Sequence, residues 1–160
     1  MKSSVMLKIE NNKINIKVYG VIDEEIKFSN YPLCETSSMV FDFIDAKGIN
    51  SCGIREWIRW ITPFAHIPMT YKNCPKIIVD QINMVDGFLP AKGMVESFYV
   101  PYYSEESDEE KHILYTFGKE FTADEIFHPT QVLDSHKKPM ELDVIESKYF
   151  RFLQKIPKSA

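Results

Sequence analysis

Apolar and polar side chains alternate twice near the start of the chain. Val5, Leu7 and Ile9 form one set, Ile14, Ile16 and Val18 the other, and Asn11-Asn12 lies between them. Alternation with a period of two marks a strand with one buried face, and paired Asn tolerates the positive φ of a two-residue turn. Residues 5–20 therefore predict a β-hairpin. Asp23-Glu-Glu-Ile-Lys-Phe28 predicts one helical turn, which Pro32 keeps short. Met39 to Ile44 is a short apolar run of β-formers and predicts a central strand. The period then changes. Ile54, Trp57, Ile58 and Ile61 recur at the i, i+3, i+4, i+7 spacing of a core-facing helix, running from Cys52 to about Thr62, and Pro63 stops it.

Ile67 to Tyr71 predicts another strand. Ile77, Ile78, Gln81, Ile82 and Val85 predict a second helix, with Pro75 near its first turn and Gly87 just past its end. Val95 to Val100 reads as one further strand. The acidic run up to Glu110 reads as a solvated hairpin tip, and His112 to Phe117 as the returning strand. Ala123 to Lys138 lacks periodicity and predicts a loop-rich connector. A closing helix is expected from Asp143, a good N-cap residue, with Ile145, Tyr149, Phe152 and Ile156 on one stripe and Phe150 and Leu153 as a second apolar flank. Strands alternating with helices between 39 and 100 predict an α/β fold, a mixed sheet packed against helices. The expected division is 1–96 for that unit and 97–160 for a hairpin-plus-helix extension.

Composition narrows the function classes. A net charge of −4 argues against a nucleic-acid footprint, which needs clustered Lys and Arg. No stretch approaches the roughly 20 apolar residues of a membrane span. The first residues lack an apolar signal core. Cys34, Cys52 and Cys74 are odd in number and widely spaced, so they make neither a disulfide framework nor a metal-binding pair. The expectation is a cytoplasmic protein.

Chemistry concentrates in the segment from Val40 to Ile61, a strand, the turn Asn50-Ser51-Cys52-Gly53, and a helix. The first N–H groups of a helix lack intrahelical partners and the helix dipole favours negative charge, so a hydroxyl at that mouth is a place where phosphate is held at low cost. The sequence assigns Ser51 two roles, N-cap and phosphoacceptor. Cys52 reads as a buried thiol more readily than as a nucleophile, because nothing in sequence places His66, His112, His128 or His136 beside it. The histidines from 112 to 136, with Asp124 and Asp134, match no standard metal spacing. Of Trp57 and Trp60, three residues apart, one is expected in the core and one on the surface as an anchor for a partner.

The strand, the Asn50-Ser51-Cys52-Gly53 turn and the amphipathic helix, preceded by Gly20-Val-Ile-Asp23, resemble the signature of STAS domains, the fold of anti-sigma factor antagonists. Family members carry Asp-Ser-Ser-Gly or Asp-Ser-Thr-Gly at this turn, so here Asn stands in the Asp place and Cys in the second hydroxyl place. The resemblance covers roughly residues 5–100. It implies a non-enzymatic bacterial signalling protein that binds another protein, a kinase-like anti-sigma factor, and is switched by phosphorylation at Ser51. The partner-binding candidates are Asn50, Cys52, Gly53, Arg55, Glu56, Arg59 and Trp60. Neither cofactor nor metal is implied. The remainder resembles the zinc-ribbon-like tail of some bacterial STAS relatives, through Met140-Glu-Leu-Asp143 and Tyr149-Phe-Arg-Phe-Leu153. The four ligand places hold Ser104, Ser107, Leu133 and His136, which cannot bind zinc. Apolar packing is therefore expected in place of the metal. Two other functions fit the same residues: an oligomerising structural module, and a sensor of a small ligand or nucleotide.

Overall fold

The computed structural model describes residues 3–155. Strands β1 (Ser4–Glu10) and β2 (Lys13–Ile22) form the antiparallel hairpin, and Asn11 and Asn12 take the positive φ values, 51° and 58°, that its turn requires. β3 (Ser38–Asp42) runs parallel to β2 and carries buried Met39 and Phe41 against buried Ile14, Ile16 and Val18. The next segments are β4 (Ala46–Ile49), helix α1 (Ser51–Ile61), β5 (Met69–Lys72), helix α2 (Lys76–Met84) and β6 (Gly93–Val95). The main sheet follows the order β1-β2-β3-β5-β6, with every pairing after the first parallel, and α1 and α2 are its crossovers. The fold is mixed α/β, a six-stranded mixed sheet with helices.

β4 was not legible as a strand. It is four residues long and contains Lys47 and Gly48, poor β-formers. It extends the sheet by pairing with the end of β2 across a register shift between Gly20 and Val21. Gly20 sits at φ +79°, a conformation costly for any residue with a Cβ. The helical turn expected at 23–28 is instead a 3-10 turn at Phe28–Asn30.

A second, three-stranded antiparallel sheet is built from β7 (Ser97–Ser104), β8 (Glu109–Thr116) and β9 (Glu141–Leu142), in the order β8-β7-β9. The run from Val95 to Val100 is therefore two strands. Glu96 separates them: its N–H donates to the Tyr71 carbonyl of the first sheet, and its carbonyl accepts from the Phe117 N–H on the second. Glu96 and Ser97 are the two polar residues at the break, flanked by apolar Val95 and Phe98.

The closing helix differs most from expectation. Residues 141 and 142 pair with β7, and the Asp143 N–H donates to the Pro101 carbonyl, so Asp143 is not a cap. Helix α3 (Glu146–Tyr149) has one turn, and a 3-10 segment, Arg151–Lys155, follows it. Ile145 is exposed, and Ile156 lies outside the described residues. Tyr149 and Phe152 of the expected stripe are buried, and Phe150 and Leu153, expected as a second apolar flank, are buried beside them, because the tighter 3-10 spiral brings residues three apart onto one side. Phe152 meets Phe98 edge-on at 5.0 Å between ring centres, and the Tyr149 hydroxyl donates to the Tyr99 carbonyl.

Candidate functional site

The N-terminus of α1 is fixed by three neighbours. The Asn50 N–H donates to the Ile22 carbonyl at 3.2 Å, tying the turn to the end of β2. Its side-chain Oδ1 accepts from the Gly53 N–H at 2.8 Å, and its Nδ2 donates to Glu24 Oε2 at 2.8 Å. Asn50 is thus the N-cap, and Ser51 is the first helical residue, which corrects the capping role assigned to Ser51. Asn caps as well as Asp or Ser, so the residue in the Asp place supplies the same acceptor. The Asn50 amide also holds the Glu24 carboxyl below its usual range.

Ser51 is exposed, and its hydroxyl makes no hydrogen bond among the described residues. Gly53 is buried. A Cβ there would stand 1.9 Å from the Ile22 carbonyl oxygen, so only glycine lets the helix approach β2 this closely. Gly53 therefore places the turn and presents no surface of its own. Cys52 is half-buried, and Arg55 Nη2 lies 3.5 Å from its Sγ. Arg55 and Arg59 are exposed on the outer ridge, with Arg59 Nη1 3.1 Å from Glu56 Oε1. Trp60 is half-buried, stacked on Phe28 at 4.5 Å, with its Nε1–H donating to the Tyr31 carbonyl at 2.9 Å. The structure makes Trp57 the core residue. It is fully buried against Phe41, Phe43 and Phe88, and its indole N–H donates to the Tyr71 hydroxyl at 3.1 Å. Burial holds the Tyr71 hydroxyl far above its ordinary range. Along this outer side of α1 runs a groove of about 590 Å³, formed with residues 24–29 and lined by Cys52, Arg55, Glu56, Arg59 and Trp60 among others. Six of the seven partner-binding candidates thus lie on one exposed side or its rim, with Gly53 beneath.

The histidines lie elsewhere. His66 faces Glu35 at 2.9 Å, and His112 faces Glu110 at 2.8 Å. His128 joins a polar chain, Tyr102 to Tyr115 to His128 to Glu146, with distances of 2.6, 2.7 and 2.6 Å. No hydrogen bond or ion pair links any of these to Cys52 among the described residues. Cys74 is fully buried, and desolvation pushes its thiol up, which suits packing and not attack.

The hairpin tip is where sequence reasoning missed a site. Ser104 and Ser107 each donate to Asp134 Oδ2 at 2.9 Å, while the backbone N–H groups of His136 and Lys138 donate to its Oδ1 at 2.8 and 2.9 Å. The two loops carrying the four ligand-like places therefore face each other across one buried carboxylate. The expectation of apolar packing there is overturned. The aromatic core lies deeper, around Phe98, Tyr115 and Phe121, and the tip is polar. Hydrogen bonds from the Lys138 N–H, both serines and the His136 N–H outweigh desolvation and lower the Asp134 carboxyl to about 2. Two hydroxyls already bonded to a carboxylate, one aliphatic chain and one imidazole do not fit a tetrahedral zinc centre. Among the described residues no group of three or more His, Cys, Asp or Glu is placed to hold a metal ion. The acidic turn itself is solvated, with Glu105, Glu106 and Asp108 exposed, while its base is tied down: Ser104 is buried, and Glu109 accepts from the Ser135 N–H and hydroxyl. The signal was the Ser-x-x-Ser spacing opposite an Asp-Ser-His-Lys turn, legible only once the two loops are known to meet.

No helix among the described residues is long and apolar enough to cross a membrane. No family model matches the chain, and comparison with curated proteins finds no match.

Proposed function

We propose that the chain is a cytoplasmic, non-enzymatic regulator that works by binding another protein through the Ser51 turn and the outer side of α1, in the manner of the STAS-like antagonists it resembles. Phosphate on Ser51 is the switch, and a kinase-like anti-sigma factor is the expected class of partner. One observation carries the reading. Asn50 performs the capping, so the exposed Ser51 hydroxyl stands at the first position of an 11-residue helix without a structural duty. A phosphate there adds nearly two negative charges where the helix dipole favours them, and changes the surface offered to a partner without unseating the cap. The strand-turn-helix context, the hairpin and the parallel crossovers support the same reading.

The test uses partners that co-purify with the full chain from its own cells. Ser51→Asp should fold like the parent and lose such a partner at least tenfold, while Ser51→Ala should retain it. Equal binding by both variants and the parent would defeat the switch.

A further inference from the structure

The groove beside Ser51 contains five charged side chains, and their pairing is uneven. Both carboxylates are engaged within the protein: Glu24 accepts from Asn50 at 2.8 Å, and Glu56 meets Arg59 at 3.1 Å. Lys27 and Arg55 have no carboxylate partner among the described residues, and the side-chain contact of Arg55 is the Cys52 sulfur at 3.5 Å. Lys27 and Arg55 are both exposed. The groove's floor is the Phe28–Trp60 stack with buried Ile26 beside it. Asn50 is neutral, so Glu24 keeps its charge, and three cations against two carboxylates leave the groove one net positive charge in a chain whose net charge is −4, a local reversal of sign. Surfaces of this type select partners by charge and bind them through an apolar anchor.

We infer that this groove receives an acidic segment of the partner protein, its carboxylates meeting Lys27 and Arg55 and one apolar side chain lying on Trp60 and Phe28. The inference rests on the partner-binding reading above and adds the partner's chemistry. It also gives the switch a mechanism. Ser51 precedes Arg55 by four residues, so both lie on one face of α1, and a phosphate on Ser51 competes with the segment for the Arg55 guanidinium.

A random copolymer of glutamate and tyrosine serves as probe, and a lysine–tyrosine copolymer as control, with binding followed by amide NMR of the full chain. The glutamate copolymer should shift amides of residues 24–29 and 52–60, more weakly as salt is raised, and the lysine copolymer should not. Lys27→Glu/Arg55→Glu changes exposed positions only, so it should keep the parent melting temperature and lose at least tenfold in affinity. Absence of these shifts, equal binding of both copolymers, or undiminished binding by the double variant overturns the inference. So does self-association of the chain through its acidic tip, residues 105–110, that the double variant abolishes. Ser51→Asp separates the two levels. If it binds the copolymer like the parent while the double variant does not, the acidic-segment groove stands and the phosphate switch falls. If it loses a native partner that the double variant keeps, the switch stands and the groove falls.

Discussion

Two turns of this molecule carry serine hydroxyls beside an Asn or Asp, and they are built in opposite ways. At the hairpin tip, Ser104 and Ser107 both donate to Asp134, and that carboxylate takes two backbone donors as well. Every group is spoken for, and the assembly closes two loops on each other. At the start of α1, Asn50 takes the structural bonds to Gly53, Ile22 and Glu24, and Ser51 is left outside them. The difference shows that a serine beside a capping residue is not thereby part of the cap. What its hydroxyl is already bonded to separates a structural serine from one available for modification.

The largest effect tests whether the tip's base and the main sheet are one body. Phe152→Ala removes a fully buried ring packed on Phe98 and should cost about 3–5 kcal/mol. Because one buried cluster runs from Val5 to Leu153, the loss should appear as a lower single transition in denaturant melts. Two separate transitions, with the first 96 residues unaffected, would mean that the second sheet is a detachable appendage.

Asp134→Asn should lower the melting temperature at neutral pH by several degrees, since it weakens four hydrogen bonds to a charged acceptor at once. The pH dependence has a definite sign. The native carboxyl titrates at about 2, below the roughly 3.9 of an unfolded Asp, so its contribution is present above pH 4 and is lost as pH falls toward 2. The gap between parent and variant should therefore narrow across that window. The same melts with a metal chelator should be unchanged, and elemental analysis should find no stoichiometric zinc.

Smaller effects separate the two residues at the start of α1. Asn50→Ala should cost about 1 kcal/mol through loss of the cap. Ser51→Ala should stay within about 0.5 kcal/mol of the parent, as exposed changes usually do. Equal losses at both positions would return the capping role to Ser51.

The sequence made much of this fold legible, for physical reasons. Side-chain period distinguishes the hairpin at 5–20 from the helices at 54 and 77, and paired Asn announces its turn. The helix that begins at Ser51 is legible because its apolar residues recur at helical spacing right after the turn. What was missed depends on contacts between distant residues. β4 exists because β2 offers it an edge, and the break at Glu96 exists because two sheets compete for one strand. α3 starts later than expected because residues 141–143 are bound to β7, and the Asp134 cluster joins loops 30 residues apart. Assigning the cap to Ser51 had a local cause: Asn and Ser are both good caps, and propensity alone does not choose between neighbours.

The central claim is that Ser51 is free for modification and is modified. Its most direct test is the intact mass of the chain from its own cells, before and after phosphatase, with the modified residue located by fragmentation. A phosphatase-sensitive species carrying a single phosphate on Ser51, absent from Ser51→Ala, is the predicted result. A chain without phosphate under every growth condition in which its partner is bound and released, or with phosphate only on other residues, would contradict it.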